Sequence, residues 1–245
     1  MLFRSWINKK SGIRKPKDLE GKRIGVPLYT MTAAVWQRGH LTDDYGVDFS
    51  GVTWVQGAIN SGGAHGDPTV LPLLKPVKIE INHSGKSLSD LLSEGSIDAM
   101  IGTNNPESRR TNPDVVRLFP DFKAVEMDVY KRTGVFPIMH LVAIRKEVYE
   151  QHPQIAQSLY DAFCESKLLA LKRLRHFGAL RSMLPWLTAE VDEIDEVFGY
   201  DPWPYGVEAN RPTLTTLSRY LAEQNIIRAP LDIRSVFVPV DEKRK

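Results

Sequence analysis

The sequence has 245 residues, of which 42% are hydrophobic and 25% are charged, and its formal net charge is +2. This composition is typical of a soluble globular protein with one large or two small domains, and the weak net charge gives no argument for a nucleic acid or a membrane as partner. A single cysteine excludes an internal disulfide framework. No apolar run is long enough for a signal peptide or a membrane span, which favours a cytoplasmic protein.

The first elements of the chain predict a βα unit. Residues 2–8 are typical of a short strand, and residues 23–26 form a second one that Pro27 ends, because proline lacks the N–H group that a sheet needs. A helix then runs from Ala33, with Thr30 or Thr32 as its cap. Such a turn directs backbone N–H groups and the positive end of a helix dipole toward an anion. The alternative is an ordinary, well-capped βα connection.

The alternation of strand and helix continues through the next segment. Residues 52–55 and 76–81 predict strands, and residues 87–95 predict a helix whose capping box joins Ser87 to Asp90. The apolar run 97–102 is typical of a buried parallel strand, and the loop 103–106 follows at its carboxyl end, where α/β proteins bind ligands. We therefore expect a parallel α/β layer over residues 20–130.

The second half of the sequence has a different pattern. Residues 134–145 form the longest apolar cluster and predict an extended segment that crosses the protein interior, with His140 in its middle. Three helices follow: a long amphipathic one after Pro153, one over residues 191–198 capped by Thr188, and one from Asn210 to about Asn225.

Three blocks of the sequence together resemble one family. They are RIGVPLYTMTAAVWQRGHLTDDYGV, GVFPIMHLVAIR and DPWPYGVEANRPTL. These blocks are similar to those of the 4,5-dihydroxyphthalate decarboxylase family, and the segment DLEGKRIGV resembles the second lobe of type II periplasmic-binding-protein-like domains.

The resemblance implies two α/β lobes with a ligand cleft between them. One lobe would comprise residues 19–130, and the other would combine residues 1–18 with residues 134–245. Relatives carry several dozen residues before the segment that matches the start of this sequence, so we expect the first lobe to be incomplete at its N-terminus.

The implied reaction defines what a site must contain. In 4,5-dihydroxyphthalate each carboxylate is para to a hydroxyl group, and direct loss of CO2 would leave an unstable aryl carbanion. Protonation of the ring carbon that bears the leaving carboxylate avoids this carbanion and gives protocatechuate. The site therefore needs donors for a dianion, a proton donor and an acceptor for the phenol proton, and it requires neither a metal nor a redox cofactor.

The candidate substrate-binding residues lie in the two predicted loops. Thr30 and Thr32, with the helix N-terminus, can bind one carboxylate, and Arg109 or Arg110 can bind the other with a forked guanidinium group. Asn104 can donate a hydrogen bond to a hydroxyl or carboxylate group. The alternatives are a solvated loop for the arginines and a turn-forming role for the asparagine.

Two further residues complete the predicted site. His140 is the candidate for proton transfer, because an imidazole titrates near neutral pH, although a lone histidine in an apolar run is more often a core residue. Tyr29 is a candidate for the wall of the cleft, with packing as its alternative. The scattered histidines show no metal-binding spacing, and His65 with Asp67 or His83 is only a weak candidate.

Two functions fit these predictions. The first is a metal-free aromatic decarboxylase whose partner is a small anionic aromatic substrate. The second is a solute-binding protein that holds a similar ligand without chemistry, because the same cleft serves both. The sequence leaves the oligomeric state open, a homo-oligomer included.

Overall fold

The structure, a computed structural model, describes residues 4–66, 72–178 and 181–242. Its contacts divide the chain into two compact units: Met1–Arg132 with Thr216–Pro230, and Thr133–Thr215 with Leu231–Lys245. The first unit contains a six-stranded sheet with helices, so the predicted α/β fold is confirmed. Within the described residues, no helix is both long and apolar enough to cross a membrane.

The sheet of the first unit has the strand order β4-β3-β2-β5-β1-β6. The neighbouring pairs among β2, β3, β4 and β5 are parallel, and β1 lies antiparallel between β5 and β6. The carboxyl ends of the parallel strands therefore share one edge with the start of β1 and the end of β6. The strands are β1 Ser5–Asn8, β2 Arg23–Val26, β3 Thr53–Gln56, β4 Ile79–Ile81, β5 Ala99–Ile101 and β6 Val115–Arg117.

The position of β1 differs from the predicted domain division. We predicted that residues 1–18 belong with the C-terminal lobe, whereas Ser5–Asn8 pairs with two strands of the first unit. All four of its residues are buried, so both faces of this strand are covered. A strand buried on both faces gains most from an interior position in a sheet.

One row of residues crosses the sheet on the face that packs against α2 (Leu88–Glu94). The pairing register places these residues side by side: Val55, Gly25, Met100, Trp6 and Arg117. Directly opposed residues point to the same face of a sheet. Trp6, Val55 and Met100 belong to one buried cluster with Leu88, Leu91 and Leu92 of α2.

The neighbouring row faces the opposite side, on which α1 (Thr32–Tyr45) lies. It comprises Trp54, Ile24, Ala99 and Ile7. The guanidinium group of Arg38, on α1, lies 5.3 Å from the Trp54 ring, which places the helix on this face. Every residue of α1 from Ala33 to Leu41 is buried.

The two predicted helix starts have different outcomes. At α2, Ser87 accepts from the Asp90 N–H group and the Asp90 carboxylate accepts from Ser87, so the predicted capping box is confirmed. At α1 the predicted cap is wrong: the helix begins at Thr32 with Met31 at the cap position, and no side chain caps it. The loop before this helix is anchored at Tyr29, whose N–H group donates to the Gln56 side chain.

The remaining helices are α3 to α8. The long predicted helix after Pro153 and the helix near Asn210 are confirmed as α5 and α7, and α6 begins before Thr188, which does not cap it. The bounds are α3 Phe122–Thr133, α4 Lys146–Gln151, α5 Ile155–Leu174, α6 Leu187–Phe198, α7 Arg211–Glu223 and α8 Ile233–Val236.

The predicted buried crossover over residues 134–145 is wrong. Val135 and Pro137 are buried, but the segment forms no strand, and Leu141 and Val142 are 61% and 69% exposed. An extended apolar segment is buried only where a sheet or helices cover both of its sides. In the second unit, the described residues form helices and no strand that could pair with it.

Candidate functional site

Three loops of the first unit lie at the carboxyl edge of the sheet. They are residues 27–31 after β2, residues 57–60 after β3 and residues 102–106 after β5. Because β2, β3 and β5 are parallel, these loops lie at the same end of neighbouring strands. Four of the predicted site residues, Thr30, Thr32, Asn104 and Tyr29, lie in or next to these loops.

Side-chain amides hold the loops together. Gln56 Oε1 accepts a 2.9 Å hydrogen bond from the N–H group of Tyr29, and Gln37 Nε2 donates to the carbonyl of Gly102 at 3.1 Å. Asn60 Nδ2 donates to the carbonyl of Asn105, and Asn60 Oδ1 accepts from the next turn. Hydrogen bonds from β3, from α1 and between the loops therefore fix this edge.

The first turn of α1 keeps the character of an anion site. No side chain caps it, and Thr30 and Thr32 are both partly exposed beside it. Uncapped N–H groups at a helix start favour a negative charge. The structure thus places both threonines where the sequence predicts them, although neither one is the cap.

Tyr29 is buried, with 6% of its surface exposed. Its ring meets the Trp54 ring edge-on at 5.4 Å, and the guanidinium group of Arg38 lies 3.9 Å from its centroid. The side chain of Tyr29 is therefore packed in the interior, which was the alternative to a place in the wall of the cleft. Its main chain anchors the loop between β2 and α1.

Arg38 is a residue of this edge that the sequence analysis missed. It is 2% exposed, and it donates to the Gln224 side chain at 2.8 Å and to the carbonyl of Tyr29 at 2.9 Å. Burial lowers the pKa of Arg38 to about 10. The available signal in the sequence was a charged residue whose neighbours on the helix are apolar or neutral.

Arg109 lies at the same edge on the α2 face. It belongs to a short helical turn, Glu107–Arg110, and its guanidinium group lies 5.9 Å from the centroid of the Trp6 ring. Arg110, the alternative in the sequence, has no such contact with Trp6. Asn104 is exposed in the preceding loop.

Two further arginines that the sequence analysis missed lie at this edge. Arg117 lies 4.6 Å from the same ring, and Arg4 donates a hydrogen bond to the carbonyl of Thr103. Arg4 precedes β1 and Arg117 ends β6. Only the strand register brings them together, so neighbouring residues in the sequence gave no signal.

His140 belongs to the second unit, and its side chain is exposed. It lies in the extended segment that the sequence predicted to be buried. The exposure leaves its imidazole open to solvent and to a ligand. Its predicted role in proton transfer stays a prediction.

Metal ligands were not expected. Across residues 4–66, 72–178 and 181–242, no three His, Cys, Asp or Glu side chains lie close enough together to hold a metal ion. The weak candidate pair of His65 with Asp67 includes a residue outside the described ranges.

Comparisons with known proteins find a matching family model, similar sequences and a similar solved structure. Residues 2–64 match the family model described as NMT1/THI5 like. The chain is 36% identical over 226 residues to 4,5-dihydroxyphthalate decarboxylase of Comamonas testosteroni, which covers 90% of this chain and 66% of that protein. It is 38% identical over 127 residues to the Pseudomonas putida enzyme of the same name, covering 51% of this chain and 49% of the relative.

The chain therefore spans about two thirds of the length of one relative and about half of the other. Among solved structures, the periplasmic sulfonate-binding protein SsuA from Methylobacillus flagellatus KT matches with a TM-score of 0.41 at 15% identity. That match covers 97% of this chain and 62% of the other.

Proposed function

We propose that this chain, which belongs to the same family as the two 4,5-dihydroxyphthalate decarboxylases, removes CO2 from 4,5-dihydroxyphthalate or a close aromatic dicarboxylate. The observation that carries the proposal is the 36% identity over 226 residues to the Comamonas testosteroni enzyme. The geometry agrees with an anionic substrate, because guanidinium groups and an uncapped helix start lie at the carboxyl edge of the sheet.

The reaction proceeds by protonation of the ring. A proton adds to the ring carbon that bears the leaving carboxylate, while the para hydroxyl group loses its proton and becomes the carbonyl of a dienone. The electrons of the breaking C–C bond return to the ring as CO2 leaves. The ring regains its aromaticity and the oxygen regains a proton, so that protocatechuate is formed. The net change is the replacement of CO2 by one proton.

The proposed roles follow from the chemistry of each group. Arg109, Asn104, Thr30 and Thr32 bind the oxygen atoms of the substrate, because they offer donors at the edge and no negative charge. Tyr29 supports these groups through its packed ring and its anchored main chain. His140 carries the proton to the ring carbon.

The direct test is product formation. Purified protein is incubated with 4,5-dihydroxyphthalate, with and without EDTA, and protocatechuate is followed by chromatography. We expect product at the same rate in both cases. A rise in melting temperature with the ligand but no product would instead indicate a binding protein, and loss of product with EDTA would contradict a metal-free reaction.

The role of His140 is tested by His140→Gln, with His152→Gln as the matched control. We expect kcat to fall by about a hundredfold or more, because a positioned proton donor contributes at least that much. Both side chains are exposed, so neither change should alter the fold. Unchanged turnover in His140→Gln would remove this residue from the reaction.

A further inference from the structure

Two arginine side chains, Arg109 and Arg117, lie over the Trp6 ring at the carboxyl edge of the sheet, and Arg4 lies close enough to Arg117 for its charge to lower the pKa of that residue. Trp6 and Arg117 are directly opposed on β1 and β6, so both point to the α2 face. Arg4 lies just before β1, and its guanidinium group donates a hydrogen bond to the carbonyl of Thr103 in the loop after β5. Arg109 reaches the Trp6 ring from the turn after β5.

In the part of the chain that the structure describes, these three arginines have no recorded ion pair with an acidic side chain. Among the described residues, none of the ion pairs includes Arg4, Arg109 or Arg117. Burial, and then the charges of Arg4 and Arg109, lower the pKa of Arg117, while Glu126 acts weakly in the opposite direction. Like charges are therefore held close together without an ion-pair partner among the described residues, which costs free energy unless an anion binds.

Two of the arginines, Arg117 and Arg4, are also held in place before any ligand arrives. The Arg117 guanidinium group lies between two rings, 4.6 Å from the centroid of Trp6 and 4.3 Å from that of Phe122. One of its terminal nitrogens is buried and has no hydrogen-bond partner within the described part of the chain. Arg4 is fixed through the carbonyl of Thr103. Such ordering lowers the entropy cost of binding.

The strand order separates this group from the first turn of α1. The helix start follows β2, whereas Trp6 lies on β1, two strands away. At the usual spacing between strands, this separation is roughly 10 Å. The two carboxylates of a phthalate stand on adjacent ring carbons. Donors that lie close together therefore match the spacing of the two carboxylates.

We infer that Arg4, Arg109 and Arg117 together bind the adjacent carboxylate pair of an aromatic dicarboxylate. The inference rests on the proposed function for the class of ligand, and it adds Arg4 and Arg117 to the substrate-binding residues. Guanidinium groups bind carboxylates through two parallel N–H donors, so three of them satisfy four carboxylate oxygens and two negative charges.

The test compares ligands that differ only in the number and spacing of their carboxylates. Phthalate, isophthalate and benzoate are titrated calorimetrically into the protein at one ionic strength. We expect phthalate to bind about tenfold more tightly than benzoate, with isophthalate between them. Equal affinity for phthalate and benzoate would overturn the inference.

Arginine variants show which side chains bind the carboxylate pair. Arg109→Gln should weaken phthalate binding by about tenfold and leave benzoate binding nearly unchanged, because one fork of the dicarboxylate site is lost. Arg110→Gln, the matched change one residue later, should bind both ligands as the parent does. Arg117→Gln should weaken phthalate binding as Arg109→Gln does. If the Arg117 variant fails to fold, the test rests on the variant of the exposed Arg109.

The outcomes separate this inference from the proposed function. Arg109-dependent phthalate binding without turnover of 4,5-dihydroxyphthalate would support the inference and contradict the proposed function. Turnover whose KM is unaffected by Arg109→Gln and Arg117→Gln would support the proposed function and overturn the inference.

Discussion

The two faces of the sheet use arginine in opposite ways near the same edge. On the α1 face, Arg38 is buried, and neutral groups of the protein, the Gln224 amide and the Tyr29 carbonyl, accept its hydrogen bonds. On the α2 face, Arg117 lies near Arg4 and Arg109 with no ion pair among the described residues. The first arrangement ties an arginine to the protein, and the second is the one that we propose binds an anionic ligand.

The difference shows that burial alone does not identify a binding arginine. Arg38 is more deeply buried than Arg117, but two polar partners and two aromatic rings surround its charge. The signal on the α2 face is the convergence of like charges without acid partners. Substitutions on the α1 face should therefore change stability, and substitutions on the α2 face should change ligand binding.

The largest effect should come from Gly39→Ala on the α1 face. A Cβ atom at this position would lie 2.2 Å from a ring carbon of Tyr220, and the ring is buried. We expect the free energy of unfolding in urea to fall by about 3 kcal/mol, because the packed ring cannot move aside. Gly51→Ala, where the nearest atom is 3.7 Å away, is the matched control.

A double-mutant cycle checks the cause of that loss. In a Tyr220→Leu background, the cost of Gly39→Ala should be much smaller than in the parent, because the clashing ring is gone. An undiminished cost in that background would show that the steric explanation is incorrect.

Arg38→Met should have the next largest effect. The change leaves the Tyr29 carbonyl and the Gln224 amide without their donor, and we expect a loss of about 2 kcal/mol in urea unfolding. The affinity for phthalate should change by less than about threefold. Arg110→Met at an exposed position serves as control, and a stability equal to the parent's would refute the role of Arg38.

His40 should give the α1 face a pH dependence. Burial lowers the pKa of His40 below its usual 6.5, against the opposing hydrogen bond with Asp44. Below pH 6.5 the unfolded chain binds a proton that the folded chain does not, so stability falls with pH until the folded pKa is reached. Unfolding measured from pH 7.5 to 5.5 should show this loss.

The matched variants for this pH effect are His40→Gln and His83→Gln. His40→Gln should flatten the decline between pH 6.5 and 5.5, whereas His83→Gln, at an exposed position, should keep the slope of the parent. Parallel slopes in all three proteins would exclude His40 as the source.

The smallest effect should be a gain in stability from Arg109→Gln. Removal of one charge from the group around Trp6 relieves repulsion, and we expect a rise on the order of 0.3 kcal/mol in low salt. At 1 M salt, where the screening length is roughly 3 Å, the gain should vanish. A loss of stability in low salt would mean that the contact of Arg109 with the Trp6 ring outweighs the repulsion.

The sequence predicted those features of the fold that depend on local pattern. Ser87 and Asp90 lie three residues apart, so their capping box was visible in the sequence, and the βα unit around Arg23–Val26 was visible for the same reason. The start of α1 was not visible in the sequence, because the loop before it depends on contacts with other elements. Gln56 accepts a hydrogen bond from the N–H group of Tyr29, Arg38 donates one to its carbonyl, and Met31 takes the cap position.

The candidate site could be predicted only in part. Thr30, Thr32, Asn104 and Arg109 lie close to strand ends in the sequence, and the rule for ligand sites in α/β proteins identified them. Arg117 becomes a neighbour of Trp6 through the pairing of β1 with β6, a contact between distant parts of the chain. His140 is exposed because the described part of its unit provides no strand beside it.

The most direct measurement is a phthalate titration of the ¹⁵N-labelled arginine side chains by NMR, with each Nε signal assigned by an Arg→Lys variant. The Nε signals of Arg4, Arg109 and Arg117 should shift together with one dissociation constant, while that of Arg38 stays in place. A shift of Arg38 with the other three unmoved would contradict the assignment of the two faces.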